Sequence, residues 1–300
     1  FVKQFTKNIE KVLGYFHRHV KEPSMLLEHV QTKNFIDWSA KSGSIPHKDS
    51  NNEFHQSVLL TLYFAYTLDC TVDLYSNINN KELAVKWRLL SSKIKKAVYE
   101  KYWDSNARLI KEYPDKNEFT QHTNILAILC NVVPIGQQTE LLKNVLTYDK
   151  FGEKASSYFS YFLFKAMQKT QQEELIYSNL NFWKLFISKG LRTCGESGFA
   201  SMDRSDCHAW SAHPAYFFIN SICGIKPAEI GFKSVLIEPH LGKLTNVTAT
   251  MPHPLGEIKV EYLVKNNVLS GTIWLPSNLN GVWRYKGNST KLNPGMNRIN

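Results

Sequence analysis

The chain has 300 residues, 43% of them apolar and 21% charged, a balance that supports a large folded core and excludes disorder as its main state. Its longest apolar run, Val58 to Leu68, is shorter than a bilayer span and is broken by Thr61 and Thr67, so no membrane-spanning helix is expected. The formal charge of 36 − 26 = +10 is spread along the sequence. Its densest cluster (Lys93, Lys95 and Lys96 beside Lys86 and Arg88) reads as a solvated helix face, and no nucleic-acid partner is expected. The five cysteines contain no C-x-x-C pair and are odd in number, so neither a zinc site nor a complete disulfide framework is indicated.

Helical periodicity begins at once, with Phe1, Phe5, Ile9, Val12, Leu13, Phe16 and Val20 at three- and four-residue spacing. A chain that opens inside an amphipathic helix reads as the C-terminal piece of a longer protein. Further helices are expected at Phe54–Tyr75, Lys81–Tyr102, Gln121–Val132, Gln138–Thr147, Ser156–Gln168, Gln172–Lys189 and His208–Ile222, with polar, breaker-rich loops between several of them. Helix pairs separated by long loops suggest a helical array or an α/α barrel. After Gly224 the period changes to two, with strands expected at Ser234–Ile237, Val247–Thr250, Glu257–Val264, Val268–Trp274 and Val282–Tyr285, and Asn266-Asn267 as a hairpin turn. The fold class is therefore mainly α with a C-terminal antiparallel β unit, divided as 1–226 and 227–300. That unit looks small for a sandwich and is expected to pack on the helices or to join other strands.

The loop from Gly190 to Trp210 gathers a carboxylate (Glu196), an imidazole (His208) and an indole (Trp210) after a helix end. Such a set suits a sugar: hydroxyls need bidentate acceptors, and the apolar ring face needs an aromatic surface. The ordinary alternative makes Glu196 a surface or capping carboxylate and His208 a helix N-terminal residue. Asp37 and Trp38 place an acid and an indole together in another loop, although a turn cap and a core indole would read the same way. Gln121 and His122 open a helix behind Thr120, an ordinary N-cap. No G-x-S-x-G elbow, P-loop, G-x-G-x-x-G or H-E-x-x-H is present, which leaves carboxylate-based hydrolysis as the chemistry most readily accommodated; no spacing implies a metal or organic cofactor.

Five stretches carry a family resemblance: NFIDWS (Asn34 to Ser39), YWDSNARLIKEYPDKNEFTQHTNILAILCNVVP (Tyr102 to Pro134), SSYFSYFLFKAM (Ser156 to Met167), RSDCHAWSAHPAYFF (Arg204 to Phe218) and IGFKSVLIEPHLGKL (Ile230 to Leu244). Together they resemble the C-terminal part of the bacterial α-L-rhamnosidases of glycoside hydrolase family 78. The resemblance implies a six-hairpin α/α barrel, here partial, followed by a β domain, and an inverting hydrolysis of terminal α-L-rhamnose. It implies Glu196 as general base, Trp38 lining the sugar subsite, Asp37 bonding or orienting within it, and His208 at the sugar or the attacking water. Gln121, His122 and Trp210 are implied as wall or supporting residues.

The family's general acid lies in a motif that nothing in this chain matches, so the isolated chain is expected to hydrolyse poorly. The sequence around the base also departs from the family: Arg192-Thr193-Cys194-Gly195 stands where Thr-Thr and an aromatic are usual. The implied partner is a rhamnose-bearing carbohydrate, and a barrel short of hairpins would expose an apolar seam and invite self-association. The alternatives are an α/α-barrel glycosidase for another sugar and a carbohydrate-binding remnant without turnover.

Overall fold

A computed structural model describes residues 1–28, 30, 36–37, 57–113, 116–152, 154–196 and 205–300. The chain forms two compact units, Phe1–Thr170 and Gln171–Asn300. Among the described residues no helix is long and apolar enough to cross a membrane.

The first unit is helical: α1 (Thr6–His17, entered by a 3₁₀ turn), α2 (Val58–Asn77), α3 (Lys81–Tyr102), α4 (Gln121–Leu129), α5 (Ile135–Thr147) and α6 (Ser160–Lys169). Three of these helices start on a side-chain cap: Ser57, Asn80 and Thr120 each accept from the backbone N–H three residues on. Helix α2 packs along α3, and α4 packs against α2, α5 and α6. Every residue of α4 from Gln121 to Ile128 is accordingly buried. That helix stops at Leu129, short of the Val132 expected from its apolar run. Asn131 turns left-handed (φ 55°) and the Val132 N–H closes back on the Ala127 carbonyl at 2.9 Å, a Schellman closure that ends the helix.

Two hairpins in this unit repeat one device. The strands β1 (Val20–Lys21) and β2 (Leu26–Leu27) follow α1, and β3 (Trp103–Asp104) and β4 (Leu109–Ile110) follow α3. In the first, the Leu27 N–H donates to Thr61 Oγ1 (2.9 Å), four residues into α2. In the second, the Ile110 N–H donates to Asn124 Oδ1 (2.7 Å), four residues into α4. Both polar side chains also bond the carbonyl of their helix's N-cap residue, Thr61 to Ser57 and Asn124 to Thr120. The short strands are thus tied to the following helix start by a buried side chain.

The second unit opens with a 3₁₀ segment (Glu173–Asn179) and α7 (Asn181–Ser188), where the sequence suggested one helix. The Ser178 hydroxyl and the Asn179 amide both bond the Leu175 carbonyl, giving the backbone an alternative to a continuous α-helix. The expected helix over His208–Ile222 is likewise three short pieces: a 3₁₀ turn (Ala209–Ser211), α8 (Pro214–Phe217) and a π turn (Phe218–Ile222). Pro214 at the first position of α8 has no N–H to continue a preceding helix.

The β part of this unit is a two-sheet sandwich, larger than the sequence suggested. One sheet has the order β11-β10-β6-β5 and the other β12-β9-β8-β7. The strands are β5 (Ile225–Pro227), β6 (Ser234–Ile237), β7 (Asn246–His253), β8 (Gly256–Lys265), β9 (Val268–Leu275), β10 (Asn280–Tyr285), β11 (Asn288–Leu292) and β12 (Gly295–Ile299). All pairings are antiparallel except β10 with β6. Val235, Ile237 and Trp283 of one sheet share a core with Ile258, Val260, Tyr262 and Ile273 of the other. Asn266 and Asn267 make the expected hairpin turn, with φ of 51° and 62° between the paired Lys265 and Val268. Gly224 enters the sandwich at φ 76°, and a Cβ there would fall 2.2 Å from the Glu238 carbonyl carbon, so only glycine fits.

Candidate active site

Asp37, 2% exposed, is the hub of the polar network in the first unit. Its Oδ1 accepts from the Ser156 hydroxyl (2.6 Å), and its Oδ2 accepts from the Ser156 N–H (3.1 Å) and faces His122 Nε2 at 2.7 Å. Burial alone would push this carboxyl up, but the bonds from His122 and Ser156 outweigh it and hold it below the ordinary aspartate range. An ionised carboxylate only accepts, so Nε2 of His122 carries the hydrogen. The imidazole is fully buried in the first turn of α4, with its ring 4.4 Å from that of Phe159. Its Nδ1 has no hydrogen-bond partner among the described residues.

Gln121, on the same turn, is committed to backbone: it donates to the Val145 carbonyl (2.9 Å) and accepts from the Ala155 N–H (2.7 Å). These bonds hold the end of α5 and the segment before α6 beside α4, and so carry Ser156 to Asp37. Trp38, the predicted sugar-facing indole, lies outside the described residues, as does most of its loop.

Glu112 was not singled out in the sequence, yet it organises two helix starts. Although 2% exposed, it accepts from Ser57 Oγ (2.8 Å) and the Leu59 N–H (3.4 Å) at the head of α2, and from Thr120 Oγ1 (3.1 Å) and Thr123 Oγ1 at the head of α4. A carboxylate between two helix N-termini is favoured by their exposed N–H groups. Burial still raises its pKa above the ordinary value against the pull of those hydrogen bonds.

In the second unit, backbone hydrogen bonds join the two segments that carry Glu196, His208 and Trp210. The Glu196 N–H donates to the Ser205 carbonyl (2.9 Å) and the His208 N–H to the Cys194 carbonyl (2.7 Å), pairing the two arms. Ser211 clamps the base through bonds from its hydroxyl to the Gly195 and His208 carbonyls, and its own carbonyl accepts from the buried Trp183 indole at 2.7 Å. Glu196 and His208 are half-buried, while Trp210 is 59% exposed and meets the His208 ring edge-on at 5.8 Å. These bonds bring the backbone of Glu196 and the His208–Trp210 segment side by side.

Helices in series followed by a β unit are the fold of a six-hairpin glycosidase domain with its C-terminal domain. Residues 2–222 match the bacterial alpha-L-rhamnosidase 6-hairpin glycosidase domain and residues 224–282 the bacterial alpha-L-rhamnosidase C-terminal domain. The chain belongs to this family. An alpha-L-rhamnosidase of Alteromonas sp. (strain LOR) is 23% identical over 266 residues, 82% of this chain and 28% of that protein. Among solved structures, the family 78 rhamnosidase of Bacillus sp. GL1 matches with a TM-score of 0.78 at 20% identity, covering 94% of this chain and 30% of that one. The Streptomyces avermitilis alpha-L-rhamnosidase complexed with L-rhamnose gives 0.75 at 19% identity, covering 97% and 30%. The chain therefore spans about a third or less of the length of these relatives.

Proposed function

We propose that this chain supplies the base side and part of the sugar-binding wall of an inverting α-L-rhamnosidase, with 1–226 as its portion of the catalytic domain and 227–300 as the C-terminal domain. The reading rests on the family match across residues 2–222. Glu196 is assigned as the general base. Backbone hydrogen bonds join the segment that ends at Glu196 to the segment that carries His208, which supports placing both in one site. In an inverting site that carboxylate stands about 6.5–9.5 Å from the acid, leaving room for the water. His208 is assigned to the sugar or that water, and Trp210 to the wall.

Asp37 is assigned a positioning role, because both of its oxygens are engaged by His122 and Ser156. It anchors the start of the segment that continues into Trp38, the proposed sugar platform. His122 and Gln121 act through Asp37 and Ser156, since both are buried. The proposed ligand is a glycan or glycoside ending in α-L-rhamnose. Val12, Val85 and Leu89, exposed on α1 and α3, are proposed to be covered by the rest of the full-length protein, and to drive self-association of this chain alone.

The test is steady-state hydrolysis of an aryl α-L-rhamnoside by the full-length protein and two variants. Glu196→Gln should reduce kcat by at least about 10²–10⁴-fold with little change in sugar affinity. Asp37→Asn should raise KM more than it lowers kcat. Undiminished turnover in Glu196→Gln would overturn the assignment.

A further inference from the structure

The outer face of the β12-β9-β8-β7 sheet carries a second set of residues suited to a ligand. The strand register lines up Thr250, Lys259, Trp274 and Met296 in one row, and Thr248, Glu261, Thr272 and Arg298 in the next. Neighbours in such a row sit about 5 Å apart, and the rows about 7 Å apart, close to the dimensions of a pyranose ring. Lys259, Glu261, Thr272, Trp274 and Met296 line a shallow concavity of about 470 Å³.

The fold makes no evident use of this indole. The inward residues Ile258, Val260, Ile273 and Leu275 already fill the core, while Trp274 is 48% exposed. Among the described residues, Trp274, the Glu261 carboxylate, the Thr272 hydroxyl and the Arg298 guanidinium make no hydrogen bond, ion pair or ring contact through their side chains. Lys259 is paired with Glu257 at 2.9 Å, with both groups more than half exposed.

The charges narrow the ligand. Lys259, Lys265 and Arg298 stand against Glu257 and Glu261 on this face, a net charge of 3 − 2 = +1, too small to draw in a polyanion. It offers strong donors and strong acceptors around one aromatic surface, which suits hydroxyl groups, each able to donate and accept, on a ring with an apolar face. A protein partner would need about 800 Å² on each side, whereas the large apolar side chains lining this concavity are Trp274 and Met296 alone.

We propose that this face is a carbohydrate-binding surface, taking a neutral pyranose unit stacked on Trp274 and hydrogen-bonded by Glu261, Thr272 and Arg298. It is built from residues other than those of the Glu196 loop. The choice of a rhamnose-bearing glycan as its ligand rests on the rhamnosidase reading. The surface would hold the polymer to which the scissile residues are attached.

The test follows the indole ¹H–¹⁵N signals of the ¹⁵N-labelled chain, with the Trp274 signal assigned by its absence in Trp274→Phe. Titration with a rhamnose-terminated oligosaccharide should shift that signal to saturation. Glu196→Gln should shift in the same way, and Glu261→Ala should bind about tenfold more weakly with an unchanged melting temperature. A Trp274 signal that stays put through millimolar oligosaccharide would overturn the proposal, even if the full-length protein hydrolyses rhamnosides through Glu196. A shifted signal in a protein that hydrolyses none would uphold the surface and sink the rhamnosidase reading instead.

Discussion

The helical unit and the β-sandwich bury different chemistry. Asp37, Glu112, Gln121, His122, Thr123 and Asn124 are all nearly inaccessible in the first, whereas the buried side chains from Ile225 onward are apolar apart from the indole of Trp283 and the phenol of Tyr262. Its hydroxyl donates to the Cys223 carbonyl at 3.0 Å. The cause is the backbone. Strands inside a sheet pair their N–H and carbonyl groups with one another, while every helix start leaves N–H groups that side chains must answer. A helical barrel therefore accumulates buried polar groups at its helix ends, where loops also converge, and a sandwich can place reactive groups only on its outer faces. Chemistry in the first region is inseparable from its stability, and in the second it is separable.

Substitutions can break that contrast, and the largest effect belongs to Asp37. Asp37→Ala should cost about 3–5 kcal/mol in urea denaturation, because it strands a buried imidazole and the Ser156 donors. Its folded pKa lies below the unfolded value, so its contribution is present above about pH 4 and lost as the pH falls through the folded pKa. The variant should show a shallower acid limb. A loss under about 1 kcal/mol would mean that the network is ornamental. Glu112→Ala should follow at about 2–3 kcal/mol, from the donors left at the heads of α2 and α4, and Glu112→Gln should recover part of it. Equal losses in the two variants would argue that packing, and not hydrogen bonding, is what matters there.

Glu173 sharpens the comparison from the other unit. Its carboxyl is buried, its Oε1 stands 3.4 Å from His240 Nε2, and its Oε2 has no hydrogen-bond partner among the described residues. Burial pushes it up to about 7 and pushes His240 down, with Lys226, Glu238 and Glu174 also facing the pair. A raised carboxyl favours the fold on the acid side, so its contribution is full below about pH 4.5 and is lost as the pH rises through about 7. Glu173→Gln should remove this dependence and melt higher than the parent above pH 7; identical melting curves across the range would contradict it. The smallest effect concerns a turn. Asn267→Ala should cost about 1 kcal/mol for its left-handed backbone, leaving the pH profile untouched in thermal melts.

What the sequence disclosed tracks how local the physics is. Helix α3 and strand β6 have the limits expected from their periodicity, and Asn266-Asn267 announced its turn. The short hairpins β1–β2 and β3–β4 hold two residues per strand, too few for any alternation to register. Strand β12, Gly295–Ile299, has no apolar alternation of its own and is defined by its pairing with β9. Asp37 and His122 could each be picked out, but their bond spans 85 residues of sequence. Ser156, which completes the hub 119 residues from Asp37, read only as a helix start. Glu112 looked like one more charge in a polar loop, because nothing local announces a carboxylate that two distant helix starts enclose.

The most direct measurement is proton NMR of the rhamnose anomer first released from an aryl α-L-rhamnoside by the full-length protein, with Glu196→Gln run beside it. The expected result is β-L-rhamnose ahead of mutarotation from the parent protein and no release above background from the variant. α-L-Rhamnose appearing first, or release undiminished in the variant, would contradict Glu196 as the base of an inverting α-L-rhamnosidase.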